Sequence, residues 1–291
     1  MNFAIPISRL KDLRPSQDQT LAAANIEDID LPDSMGSPFD RAMVLFNGKN
    51  YGAAISYFKK AISEDPENAE AYYRLGICYR ETNATDAIDA FKTAIDFKSD
   101  YAEAYCHLGI TYQRLNMREE AIGALKNALS INPDYDEALV NLGIAYAVSK
   151  KFNSAVSVLE RATDLLPDAK AYYYLGFSYS QLKKHAQAAR AFRQSVDIDP
   201  DFLDAYLGLG TSYAAVENWR LGIRILNQAV ILAPQNAEVH FLLGILHLGN
   251  DDLESAKLEQ ELLKRQKEYK LRSKLSSAIR KYESNRRRRY R

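Results

Sequence analysis

Few side chains in this sequence could do covalent chemistry. It has four histidines, His107, His185, His240 and His247, two cysteines, Cys78 and Cys106, and adjacent carboxylates at Glu119-Glu120 and Asp251-Asp252. A metal ion needs such donors converging at close spacing. Only His240 and His247 share a helix face, and both stand in columns that other parts of the chain fill with tyrosine, so packing explains them. The cysteines show neither a disulfide framework nor a metal spacing and are expected as buried thiols. The carboxylate pairs fall in turns or at helix starts, where they suit the helix dipole. No nucleophile–base pair emerges from spacing. The expectation is a protein without catalytic residues, bound metal, cofactor or small-molecule substrate. The remaining chemically distinctive group is cationic: Arg286, Arg287, Arg288, Arg289 and Arg291.

The formal charge of zero over 291 residues conceals a strong asymmetry. Lys264 to Arg291 carries 13 Lys/Arg against two acids, and the preceding residues carry 25 basic against 36 acidic groups. An acidic body thus ends in a tail of net +11. No run reaches the roughly 18 apolar residues of a membrane span. The start, MNFAIPISRLKDLRPSQ, lacks the basic and apolar regions of a secretory signal. The compartment expected is a reducing cytoplasm.

The elements that position these side chains announce themselves by repetition. AYYRLGICYRE at 71–81 returns as AYCHLGITYQR, ALVNLGIAYAV, AYYYLGFSYSQ, AYLGLGTSYAA and VHFLLGILHLG. The glycines are Gly76, Gly109, Gly143, Gly176, Gly210 and Gly244, at steps of 33 or 34 residues. Within each unit a first stretch carries apolar residues at offsets 0, 3, 4 and 7, one helix face. A second stretch carries Ala, Phe/Leu and Ala at offsets 0, 4 and 7, and a proline five residues later stops it. Tyr105, Leu108, Gly109, Tyr112, Ala121, Leu125, Ala128 and Pro133 form one such set. A glycine inside a helix costs about 1 kcal/mol against alanine, so its recurrence predicts that two helices approach closely there. Ser37-Pro38-Phe39-Asp40 offers a cap, a first-turn proline and a capping-box acid.

This pattern resembles the tetratricopeptide repeat, a 34-residue helix–turn–helix unit. The resemblance covers about residues 37–263. It implies an all-α fold: a right-handed α-solenoid of about seven units, starting near 35, 69, 102, 136, 169, 203 and 237. The expected organisation is a flexible arm at 1–36, the solenoid at 37–268, a C-terminal capping helix at 269–283 and a basic tail at 284–291. Departures include Ala42 in the glycine column, one turn residue missing in the second unit, and Gly222 in an alanine column.

The family binds partners on the concave surface lined by first helices. Its groove columns, carried over, give two ladders. One runs Phe39, Tyr73, Cys106, Val140, Tyr173, Leu207, Phe241; the other runs Met43, Ile77, Ile110, Ile144, Phe177, Thr211, Ile245. The implied function is a protein–protein interaction scaffold or adaptor that takes a partner peptide or amphipathic helix into this apolar groove. Arg80, Glu81, Gln113, Arg114 and Gln181 are its expected polar rim. The alternative is an adaptor tethered through its arginine tail to nucleic acid, anionic lipid or an acidic partner. That tail has a further candidate partner in the chain's own acidic repeats. The N-terminal FAIPISRL is a candidate docking motif.

Overall fold

The computed structural model describes residues 35–289, with Arg289 described by its backbone alone; most of the arm at 1–36, the Arg289 side chain and Arg291 lie outside this range. The described residues form fifteen α-helices and no strand. They fall into two compact units divided between Lys150 and Lys151. The first holds α1 (Pro38–Asn47), α2 (Tyr51–Glu64), α3 (Ala69–Thr82), α4 (Ala84–Phe97), α5 (Ala102–Arg114), α6 (Arg118–Ile131) and α7 (Asp136–Val148). The second holds α8 (Phe152–Leu165), α9 (Ala169–Gln181), α10 (His185–Ile198), α11 (Leu203–Ala215), α12 (Trp219–Leu232), α13 (Ala237–Gly249), α14 (Leu253–Arg265) and α15 (Tyr269–Arg289).

The recurring glycine has a steric cause. A methyl group on Gly76 would stand 2.7 Å from the Phe91 ring of α4, and one on Gly109 would stand 2.6 Å from Leu125 of α6. Gly176 and Gly210 meet Phe192 and Leu226 in the same way, at 2.9 and 2.7 Å. Phe91, Leu125, Phe192 and Leu226 are fully buried. Each contributes about 2 kcal/mol of burial, more than the glycine costs.

The turns follow one design. Lys49, Asn116, Lys150, Lys183, Glu217, Asp251 and Lys267 all adopt positive φ, between 57° and 64°. Around the first, Lys49 N–H donates to Phe46 O and Asn50 N–H to Leu45 O, both at 2.9 Å, which satisfies the last carbonyls of α1. The second unit's missing residue removes this turn, and Asn83 alone ends α3 and caps α4. At the start of α1, Ser37 and Asp40 form the expected capping box.

Helix starts come in two chemistries. Asn68, Asp168 and Asn236 each accept hydrogen bonds from backbone N–H groups of the following helix. Tyr101, Tyr135 and Phe202 hold the same place and give no side-chain cap. Their rings cover the preceding first helix instead. Tyr101 lies 4.9 Å from Tyr73, and Phe202 lies 4.9 Å from Tyr173, centroid to centroid. A cap is worth about 1 kcal/mol, which a well-packed aromatic pair replaces.

α15 is more than a cover for an open end. In α14 the Phe/Leu column holds Gln260, too polar for the hollow above Gly244. Leu275 of α15 fills that hollow, 2.6 Å from where a Gly244 methyl would stand, and is fully buried. Gln260 donates to Ser276 Oγ, Tyr282 Oη donates to the Asp251 carboxylate, and Lys257 Nζ reaches Glu283 at 3.6 Å. The helix does not stop at 283 but runs to Arg289. Arginine is a good helix former and no glycine or proline interrupts the run.

Candidate partner-binding cleft

In residues 35–150 the predicted ladder is largely sealed. Tyr73 and Ile77 are buried, and Cys106 is 0% exposed. The reason is the aromatic residue that replaces the cap: Tyr101 covers Tyr73, and Tyr135 lies beside Cys106 while its hydroxyl donates to Glu137 Oε2 at 3.2 Å. Burial pushes the Cys78 thiol up to about 12 and raises that of Cys106 further. Both therefore stay protonated and unreactive. Ile110, Val140 and Ile144 remain half-buried.

The rim residues of this unit tie neighbouring helices together. Arg80 Nη1 donates to His107 Nδ1 at 2.8 Å, and Arg114 Nη1 donates to the Arg80 carbonyl at 2.7 Å while approaching Glu81 Oε1 at 3.7 Å. Gln113 Nε2 donates to the Asn141 carbonyl at 2.7 Å. His107 stacks on Phe91 and packs against Tyr73. Burial, reinforced by Arg80, lowers its pKa to about 3, so the ring is neutral and Nδ1 accepts the guanidinium hydrogen.

Residues 151–289 seal the ladder in the same way and differ one turn further along. Tyr173, Phe177 and Leu207 are buried, against the expectation of a solvent-facing ladder. Phe202 covers Tyr173, and Phe152 meets Phe177 edge to face at 6.0 Å. Phe241 is half-buried and packs on the cluster that holds Ile245, Leu275 and Ile279. One turn further along the first helices, the residues that correspond to Arg80-Glu81 and Gln113-Arg114 are Ser180-Gln181, Ala214-Ala215 and Leu248-Gly249. None of these is charged, four of the six are small, and they line a cleft of about 710 Å³.

Five helices wall the cleft. The C-terminal turns of α9, α11 and α13 supply Gln181, Ala215 and Leu248, and α15 supplies Ala278, Lys281, Tyr282 and Asn285. Trp219, the one tryptophan of the sequence, forms part of the wall at the start of α12. Its indole lies on Gly249, where a methyl group would stand 2.4 Å from the ring. Gln181 Nε2 is buried and has no hydrogen-bond partner among the described residues. Lys183, His185 and Glu217 stand at the mouth. A cleft of this size with apolar walls and a few polar groups suits a peptide segment. Of the predicted rim, Gln181 alone belongs to it. Trp219, Ala215 and Tyr282 were not singled out by the sequence, although the lone tryptophan and the loss of charge at the rim positions were visible signals.

The histidines hold structure. His240 bonds Glu259 Oε2 through Nδ1 at 2.7 Å and the Pro234 carbonyl through Nε2 at 2.8 Å, which ties α13 to α14. His247 Nδ1 lies 3.4 Å from Asp252 Oδ2. Among the described residues no group of three His, Cys, Asp or Glu is arranged to hold a metal ion. No helix there is long and apolar enough to cross a membrane.

Comparison with known proteins agrees with the fold. A search of curated proteins finds no match. Among solved structures, YrrB, described as a TPR protein with an unusual peptide-binding site, is 25% identical with a TM-score of 0.56 over 62% of this chain and 95% of that one. MamA is 26% identical, with a TM-score of 0.54 over 60% of this chain and 96% of that one. The C-terminal part of a TPR repeat-containing protein from Cytophaga hutchinsonii is 19% identical, with a TM-score of 0.63 over 77% and 93%. Family models described as tetratricopeptide repeat match residues 39–102, 115–175, 169–202 and 207–269. With most of its length so matched, the chain belongs to the tetratricopeptide repeat family.

Proposed function

We propose that this protein is an interaction scaffold that takes a segment of a partner protein into the cleft of residues 151–289. The observation that carries this reading is the cleft itself, about 710 Å³ and walled by Trp219, Ile245, Leu248 and Ala278. Its occupant is a short extended or helical segment with an apolar side chain against Trp219 and a hydrogen-bond acceptor for Gln181 Nε2. The role is binding rather than catalysis, and a reducing cytoplasm suits its two separate, buried thiols.

The test is selection of binding peptides from a random library on the immobilised full chain, followed by rebinding to Ala215→Arg. Ala215 is half-buried at the cleft wall, so an arginine there fills the space and leaves the cores intact. The selected peptides are expected to lose at least tenfold in affinity. Peptides that bind the variant unchanged place recognition elsewhere.

A further inference from the structure

Among the described residues, the C-terminal half of α15 is a distinct cationic surface. Arg280, Lys281, Arg286, Arg287 and Arg288 are exposed and form no ion pair among the described residues. They stay unpaired although the chain ahead of the basic segment carries 36 acidic residues. Among the described residues, then, these five do not pair with the acidic repeats. The buried face of α15 ends with Ile279, and Tyr282 and Glu283 make its last contacts. Beyond them the helix carries only polar and cationic side chains, and a hollow of about 390 Å³ lies among Arg280, Ser284, Arg287 and Arg288.

Successive helix residues are about 100° apart, so Arg286, Arg287 and Arg288 spread their guanidinium groups over more than half the circumference. A flat partner, whether a bilayer or an acidic protein face, meets one side of such a rod and leaves the other charges unused. Membrane insertion also needs an apolar face, and that of α15 is occupied by α13 and α14. A groove walled by phosphates engages every side. The B-DNA major groove is about 12 Å wide, which matches a helix of about 10–12 Å with its side chains. The acidic body, net −11, repels the same duplex and confines contact to the helix end.

We propose that the C-terminal end of α15 is a DNA-binding element that enters the major groove and grips phosphates on both walls without reading bases. It rests on Arg286, Arg287 and Arg288, which do not line the peptide cleft, although Lys281 and Asn285 of the same helix do. The experiment titrates the full chain against a labelled random-sequence DNA duplex of about 20 base pairs. The same duplex in RNA and vesicles containing phosphatidylserine are the other probes. The proteins compared are wild type, Arg286→Ser/Arg287→Ser/Arg288→Ser, and the corresponding triple lysine variant. With three phosphates neutralised, wild-type affinity for DNA falls about 40-fold between 50 and 200 mM salt. The serine variant loses that affinity and lowers the log–log salt slope by about 2.7, while the lysine variant keeps most of both. These side chains form no ion pair among the described residues and lie beyond the buried face of α15, so circular dichroism is expected to stay unchanged. Vesicle binding without DNA binding, equal binding to the A-form RNA duplex, or DNA binding that the serine variant retains overturns the proposal. So does the absence of DNA binding at 50 mM salt.

Discussion

The inner positions of the two units are built from the same repeat, yet one is stapled and the other is open. In residues 35–150 the last turns of α3 and α5 carry Arg80-Glu81 and Gln113-Arg114, and three of these side chains bond across to a neighbouring first helix: Arg80 to His107, Gln113 to the Asn141 carbonyl and Arg114 to the Arg80 carbonyl. In residues 151–289 the equivalent residues are Ala214-Ala215 and Leu248-Gly249, and a cleft stands where those bonds would be. A repeat therefore separates two tasks. Its columns for glycine, alanine and Phe/Leu set the fold, and the positions one turn beyond decide whether a unit closes on itself or receives something else.

The contrast breaks most sharply at α15. Leu275→Ala empties the hollow over Gly244 and removes the residue that stands in for the polar Gln260. A loss of about 3 kcal/mol is expected in denaturant unfolding, confined to 151–289; no counterpart exists in 35–150. Next comes a pH effect confined to 35–150. His107 titrates near 3 in the fold against 6.5 in the unfolded chain. Between those values the unfolded chain binds the proton more strongly, so this stabilisation is complete above about pH 6.5 and fades as pH falls toward 3. Its loss by pH 4 is about 2 kcal/mol, allowing for the partial exposure of the ring. His107→Gln, which keeps an acceptor for Arg80, is expected to flatten the melting temperature against pH.

Removing one staple has a smaller effect. Arg80→Met leaves His107 Nδ1 without its donor and should cost about 1–2 kcal/mol, visible as a lower unfolding midpoint with an unchanged slope. The smallest change expected is a gain. Lys49 sits at φ 59°, a region that penalises side chains, and Lys49→Gly should raise stability by about 0.5 kcal/mol. A loss there would show that the lysine side chain contributes contacts that outweigh its strain.

Most of the fold was legible because it repeats. Gly76, Gly109, Gly176 and Gly210 declared a close approach, and Phe91, Leu125, Phe192 and Leu226 are what they approach. The site was less legible. A column such as Tyr73, Cys106 and Tyr173 reads as a groove ladder, but its exposure depends on a residue in the following loop. The aromatic members Tyr101, Tyr135 and Phe202 close it, and they were present in the sequence as Asp-Tyr or Asp-Phe before each helix. The cleft was hidden for another reason. Small residues such as Ala214 and Ala215 look like helix packing, and a cavity is defined by side chains that are missing. Gln260 in a Phe/Leu column was the sign that α15 completes the last pair, and it too is read only once the hollow above Gly244 is known.

The central claim is that the open cleft, rather than the stapled unit, receives the partner. The sole tryptophan reports on it directly. Peptides selected on the full chain should be titrated while Trp219 emission is followed, in wild type, in Ala215→Arg and in Ile110→Glu, whose new charge lies in 35–150. The account predicts a saturable shift in Trp219 emission that Ala215→Arg abolishes and Ile110→Glu leaves within about twofold. Binding that leaves Trp219 silent, survives Ala215→Arg and disappears in Ile110→Glu would contradict it.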